Sequence, residues 1–517
     1  MRKHLAQIFI VVLFALFGIR SIFHSGFMYS HDSLWHVQRI QNMYSLLPTQ
    51  FPVRWSPSLD NGYGVPLFNF TYPAPYYLGA AFMYLGLGPI KAYDLVLVSF
   101  YLLGGIGVYL IGSKKPWIGV SAAILYLFTP YLFLDIFVRG ALGEVVALGL
   151  IPWVILSYEQ ISKSGKLSWY SPIPFALLIL SHNFYAYLFT ALLIFLIIFL
   201  YNHKKLLLYS LLLSFALSAF FLLPAFVEKG LLLYSQNIHL SYRDHFVYPL
   251  QLIYGKWSFF GSEPGLDPKE MSYQLGIANI ATLFLSLAVL RRSKKLAIYF
   301  FATALAIFMM LKQSDLLWQY IPLISSIQFP WRFLGITSIL IPLIYIELVV
   351  NISSSNTKIW PKYLSVLLII IAVYGARNYA RPVKWMSVDE FTTLHYEYVG
   401  KTTTAQRNEI VPYWANVERY NAGDTPSLDF TLTSDSATTM VIERNYFPTW
   451  AATMDDKKIV LTPTSTGEIL LPVSPGTHTY KIFQKSTTIQ IIGNIISLLS
   501  LASLYFIYTK SKRSHQN

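Results

Sequence analysis

Residues 186–224 read AYLFTALLIFLIIFLYNHKKLLLYSLLLSFALSAFFLLP, two long apolar runs parted by one short polar break that carries Lys204 and Lys205. A membrane span needs about 20 mostly apolar residues, and each run approaches that length. Similar runs recur as QIFIVVLFALFG, YDLVLVSFYLLGGIGVYLIG and YLSVLLIIIAVYG. A backbone in lipid must satisfy its own hydrogen bonds, so these runs are read as helices. Composition agrees: 55% of the 517 residues are hydrophobic, 16% aromatic and 12% charged, about half the charged share of a typical soluble domain.

The net charge of +14 does not form a nucleic-acid patch. Basic residues instead punctuate the apolar runs, at Arg2-Lys3, Lys114-Lys115, Lys163 and Lys166, Lys204-Lys205, Arg291–Lys295, Lys358 and Lys362, and Lys510–Arg513. The positive-inside rule makes these cytoplasmic and puts both termini inside. The expected map has roughly twelve spans, near 5–23, 93–112, 116–133, 141–158, 168–184, 186–202, 206–224, 274–290, 296–312, 332–350, 361–377 and 488–508. MRKH before the first run resembles a signal-peptide start, but GIRSIFHSG after it has no small-residue cleavage site, so an uncleaved anchor is expected. With no cysteine, disulfides and thiolate metal sites are excluded.

This map leaves 24–92, 225–273 and 378–487 outside the cell. Residues 73–90, PAPYYLGAAFMYLGLGPI, are apolar but broken by Gly and Pro, and are read as a helix dipping into the outer leaflet. From Thr431 onward, short alternating runs and the turn signals MDDK, STGE and SPGTH give an antiparallel β-sandwich. The resulting architecture is a polytopic α-helical membrane protein. Its transmembrane domain is 1–377, its extracytoplasmic β-rich domain 378–487, and its final helix and basic tail 488–517. Trp450 is read as a core residue of the β-domain.

Polar groups gather where the outer helix ends should lie. HDSLWHVQRIQ, residues 31–41, follows the first span and suits a helix beginning at Ser30 or Asp32, with Asp32, His36 and Arg39 on one side. An N-cap with solvent-facing neighbours explains the same pattern. LDIFVRGALGE places Asp135, Arg139 and Glu144 in a short outer loop, SHNFYA puts His182 and Asn183 in a tight turn, and Arg332 opens a long apolar helix. Ionisable groups at a membrane edge are costly unless paired or used; Arg332 also fits simple snorkelling. Arginines suit a lipid phosphate through bidentate hydrogen bonds, and a carboxylate suits proton removal from an acceptor hydroxyl.

Asp32 beyond the first span, then FPVRWSPSLDNGYGVPLFNFTYPAPYYLGA, RGALGE, SHN and QFPWRF, resembles the large bacterial membrane proteins called YfhO-like or 6-pyruvoyl-tetrahydropterin-synthase-related. These are similar in layout to the GT-C glycosyltransferases. NYFPTWAATMDDKKI, LPVSPGTHTYKIF and a last span resemble their β-domain and closing helix. The resemblance implies a plasma-membrane glycosyltransferase that moves a sugar from a polyprenyl-phosphate lipid to a glycan, lipid or protein acceptor on the outer face. It implies Asp32 as catalytic base or metal-associated acid, Glu144 as second acid with Asp135 as competitor, and Arg139 and Arg332 as phosphate partners. No doubled acidic motif is present; His31-Asp32 stands in its place. His36 either orients Asp32, ligates a divalent cation (Mg or Mn) with it, or packs. Among the remaining polar groups, His31 and His182 are candidate substrate contacts, and Asp60 and Tyr63 candidate linings of the acceptor side. The aromatic residues of 63–77 suit sugar stacking or interfacial anchoring. Two rival classes remain, a lipid or polysaccharide flippase and a non-catalytic scaffold, although a transporter usually gathers its polar groups at the midplane in two related halves.

Overall fold

The computed structural model describes residues 2–60, 62–231, 241–262, 270–353, 359–391, 427–465 and 467–513. Among them, four single helices are long and apolar enough to cross a membrane: Pro89–Gly112, Leu142–Ser164, Pro330–Ile352 and Thr488–Thr509. Two bent pairs raise this to six, Pro116–Leu127 with Pro130–Arg139 (48°) and Lys204–Leu217 with Ala219–Leu231 (72°). The chain is a multi-pass helical membrane protein.

The other expected spans hold shorter helices, including His4–Gly18, Asn183–Phe199, Ile277–Leu287 and Trp360–Gly375. At 1.5 Å per residue, such helices of 11–17 residues reach about 17–26 Å, short of a hydrocarbon core of about 30 Å. The expected span at 168–184 is corrected further. It contains only Ile173–Ile179 before the chain turns at Ser181 and His182. Within 73–90 lies the helix Ala74–Tyr84, too short to cross; Gly79 lets it press on Ile40 of the helix Ser33–Leu46.

The centre of the bundle is formed by Leu142–Ser164 and Pro330–Ile352, the most enclosed of the long helices. Pro89–Gly112 packs along the first of these, and the contact depends on Gly149. A Cβ there would come within 2.3 Å of the Phe100 carbonyl oxygen. Small residues at helix interfaces allow such close backbone approach, which is what drives association in lipid.

Strand β1 (Phe27–Tyr29) pairs antiparallel with β2 (Lys384–Met386). Residues 384–386, expected to open the β-rich domain, therefore join the chain beside the first helix, while 392–426 lie outside the described residues. The C-terminal β region is two antiparallel sheets. One has the order β3-β9-β5-β6, formed by Ser427–Ser434, Gly476–Gln484, Trp450–Met454 and Lys457–Ile459. The other is β4-β8-β7, formed by Thr438–Asn445, Glu468–Val473 and Thr462–Pro463. Both sheets turn apolar side chains into one core, with Trp450, Ala452, Tyr480 and Ile482 from the first and Ile442, Ile469, Leu471 and Val473 from the second. The MDDK signal is a tight hairpin whose Asp455 and Asp456 both take positive φ, as a type I′ turn requires. Trp450 is a core residue, with its indole N–H donating to the Asn445 carbonyl at 3.0 Å.

Candidate functional site

The helix Ser33–Leu46 begins where the sequence places it, with Asp32 as the preceding residue, but Asp32 makes no side-chain cap. Its start is instead pinned by backbone bonds: the His31 N–H donates to the Val138 carbonyl at 3.0 Å and the Asp32 N–H to the Arg139 carbonyl at 2.8 Å. Gly140, at φ 65°, makes the approach possible, since a Cβ there would meet the Ser30 hydroxyl at 2.0 Å. Asp32 is half-buried and His31 exposed, its Nε2 on the Phe259 carbonyl at 2.9 Å.

The expected outer loop 134–144 is corrected. Leu134–Arg139 is a buried π-helical turn ending the bent span Pro130–Arg139, and single π turns of this kind are frequent at functional sites. Asp135 and Arg139 thus face each other, Arg139 Nη1 donating to Asp135 Oδ1 at 2.6 Å. Glu144, in the first turn of the next helix and 1% exposed, receives Arg139 Nη2 at 2.8 Å, Arg332 Nε at 3.2 Å and the Tyr131 hydroxyl at 3.0 Å. His182 Nε2 stands 3.6 Å from the same carboxylate. Aromatic faces cover the cations, with Arg139 4.7 Å from the Trp331 ring centre and Arg332 4.5 Å from that of Phe184. These contacts seat the guanidinium groups in a low-dielectric setting where their pairing with Glu144 is strong.

The two arginines differ in what they leave open. Arg139 has both terminal nitrogens on carboxylates. Arg332 commits Nε to Glu144 and Nη1 to the Ile327 carbonyl, and among the described residues Nη2 has no hydrogen-bond partner, which leaves it for a ligand. Its backbone carbonyl accepts from the Tyr185 hydroxyl at 3.0 Å, and that hydroxyl also reaches Tyr131.

A ladder of rings joins the Asp32 helix to this group. His36 stacks on Tyr76 at 5.9 Å, Tyr76 on Tyr72 at 5.9 Å, and Tyr72 lies 5.2 Å from His182. Burial lowers the His36 pKa well below the usual histidine range, with Arg39, His182 and Arg139 adding to it, so the ring is neutral. The Asp32 pKa is raised by burial, against the opposing pull of Arg139 and His31.

Asp32, His36, Arg139, Glu144, His182 and Arg332 are thus brought into one group. Asp60 and Tyr63 are not open linings. They are 1% and 0% exposed beneath β4. Asn445 donates its side-chain amide to Asp60 at 2.7 Å and its backbone N–H to the Tyr63 carbonyl at 2.9 Å. Those bonds fasten the β region to the outer loop. As a cation pair, Asp32 and His36 fit poorly: His36 Nδ1 is on the Tyr76 hydroxyl at 2.9 Å, and no group of three or more suitable ligands exists among the described residues. Sequence reasoning missed Tyr131, Tyr185 and Trp331, which sit in apolar runs and carry no local mark of their polar contacts.

The family described as 6-pyruvoyl-tetrahydropterin synthase related domain, a membrane protein family, matches residues 68–383. This chain belongs to that family. The match takes in Glu144, His182 and Arg332, and Asp32 precedes it. No curated protein sequence matches the chain. Among solved structures, it is similar to the archaeal oligosaccharyltransferase AglB from Archaeoglobus fulgidus, solved with an inhibitory peptide and a dolichol-phosphate. There the TM-score is 0.49 at 14% identity, over 81% of this chain and 61% of that one. It is also similar to the arabinofuranosyltransferase AftD from Mycobacteria, with a TM-score of 0.39 at 12% identity, over 74% of this chain and 27% of that one. The chain therefore spans less than two thirds of either protein.

Proposed function

We propose that this chain is a membrane glycosyltransferase that moves a sugar from a polyprenyl-phosphate donor to a hydroxylated acceptor at the extracytoplasmic face. The observation that carries this reading is the half-buried Asp32 bonded through its backbone to Arg139, itself part of an enclosed Arg139–Glu144–Arg332 array. Asp32 accepts the proton of the acceptor hydroxyl, whose oxygen attacks the anomeric carbon. The bond from that carbon to the phosphate oxygen breaks, and polyprenyl phosphate leaves with the electron pair. Arg332 meets the developing charge through Nη2, an aid worth most in a site already organised before reaction. Glu144 holds both guanidinium groups in place and is not itself the base, because its oxygens are already occupied by donors.

The test is transfer of labelled sugar from a short-chain polyprenyl-phosphate donor by the purified protein in vesicles. Asp32→Asn is expected to lower transfer sharply while the protein stays folded, with a melting temperature no lower than that of the wild type. Unchanged transfer removes the reading, and loss of substrate translocation without any transfer by the wild type favours a flippase.

A further inference from the structure

A second polar cluster lies where the first outer loop, the bent helix 219–231, the last helix and the β region meet. Arg54 is its hub, donating Nη1 to Asn69 Oδ1 at 2.9 Å and Nη2 to the Phe220 carbonyl at 2.7 Å and Asn494 Oδ1 at 3.1 Å. Asn69 in turn donates to Glu228 Oε2 at 2.6 Å. The Arg54 charge is thus spent within the wall, with Glu228 one residue away to balance it. This distinguishes the cluster from the arginines around Glu144, one of which keeps a nitrogen without a partner among the described residues.

Beside this hub is a cavity of about 190 Å³. It is smaller than the roughly 300–1,000 Å³ of sites for drug-sized ligands, so it has room for one ring-sized group and not for a chain. Two polar atoms of residues in its β-region wall have no hydrogen-bond partner among the described residues: the Thr449 hydroxyl, on a residue 8% exposed, and Gln484 Nε2. Buried polar groups nearly always have a partner, and two exceptions on residues that line one cavity call for an explanation. The rim carries Phe51, 86% exposed, and the wall includes Trp55 and Phe447. Unpartnered hydroxyl and amide groups beside an aromatic face suit a ring with an apolar side and hydroxyls at its edge.

We infer that this cavity binds one neutral sugar ring, held by Thr449 and Gln484 and stacked on Phe51. It rests on the transfer reading only in making that ring part of the acceptor. Asn69 is in the cavity wall and Tyr72, three residues on, stacks toward His182 of the Glu144 group. One short segment therefore spans both places.

Methyl glycopyranosides and methyl arabinofuranoside, each at millimolar concentration, are the probes. Saturation-transfer NMR on the full-length protein in a sugar-free detergent is the readout. At least one glycoside is expected to show saturation transfer. Thr449→Val with Gln484→Met is expected to weaken that binding about tenfold or more, without lowering the melting temperature. Phe51→Ala, on the exposed rim, does the same and guards against a folding artefact in the paired variant. Asp32→Asn leaves the binding intact. No glycoside binding, binding indifferent to all three substitutions, or displacement by inorganic phosphate would each overturn the inference. If glycosides bind as described while the wild type transfers no sugar, the cavity stands and the transferase reading falls.

Discussion

One helix, Leu142–Ser164, carries a carboxylate near each end, and the two ends are built differently. Glu144 is gripped by Arg139 and Arg332, both with side chains 8% exposed and both under aromatic rings. About 22 Å away along the axis, Glu159 is paired with Lys163 and Lys295, whose side chains are 62% and 30% exposed, and Lys295 also reaches Glu347 at 3.3 Å. Long lysine stems let an ammonium group seek water. A planar guanidinium under an aromatic ring has a fixed direction and cannot do so. The Glu159 end is thus an adaptable anchor, and the Glu144 end a rigid charged array with a half-buried carboxylate, Asp32, beside it.

The contrast breaks most easily at its centre. Glu144→Ala leaves the buried Arg332 without its carboxylate and Arg139 with Asp135 alone, and is expected to cost about 3–5 kcal/mol, measured by thermal melting in detergent. Glu159→Ala, whose lysine partners are more exposed than the two arginines, is expected to cost less than Glu144→Ala; equal losses would erase the distinction. Next in size, Asp32→Asn should lower sugar transfer about 100- to 10,000-fold, while Glu159→Gln leaves it unchanged. Arg332→Lys keeps the charge but loses the fork geometry, and transfer is expected to fall about 10- to 100-fold. Recovery to wild-type rates in that variant would show that a point charge suffices.

The pH profile sharpens the same comparison. Burial raises the Asp32 pKa, so the base form appears only at a higher pH than for an ordinary aspartate near 3.9. The acid limb of transfer should therefore be displaced upward. The stability sign follows: a raised folded-state pKa contributes stability below the unfolded value and loses it as pH rises through the folded one. Asp32→Asn should therefore stabilise the protein above that range, and a melting temperature that falls there would count against the assigned burial. The smallest effect lies in the β region. His478 is raised and Asp455 lowered chiefly by their mutual hydrogen bond. The histidine's contribution is present below its ordinary pKa and lost as pH rises through the raised one. That of Asp455 is present above its ordinary pKa and lost as pH falls through the lowered one. Asp455 is exposed and His478 partly so, so Asp455→Asn should only flatten a shallow pH dependence of melting near neutrality.

Much of this could be read along the chain. Leu34, Ile40 and Leu46 against Asp32, His36 and Arg39 announce a helix by spacing alone, and of the two starts that spacing allows, Ser30 and Asp32, the helix begins one residue after the second. Turn residues such as Asp455-Asp456 and Gly476 mark the hairpins because few residues tolerate positive φ. The reading failed where length or wider context decides. The run around 168–184 is apolar enough for a span yet breaks after Ile179, and the stretch 134–139 has the polarity of a loop yet winds into a buried π turn. Asp60 and Tyr63 look like surface groups in a Gly-rich turn, but Asn445, 385 positions from Asp60, covers them.

By itself the sequence determined that this chain lives in a membrane as helices, ends in strands, and keeps its ionisable residues at particular helix ends. Those properties follow from local hydropathy and periodicity, which each segment carries alone. Only the tertiary structure decided that Asp135, Arg139, Glu144 and Arg332 pair with one another, and that Arg332 keeps a nitrogen unbonded among the described residues. It also put Tyr131 and Trp331 in the site and Asp60 under a strand. Pairing energies depend on distance and burial between segments far apart in the chain, and neither quantity is written in any one of them.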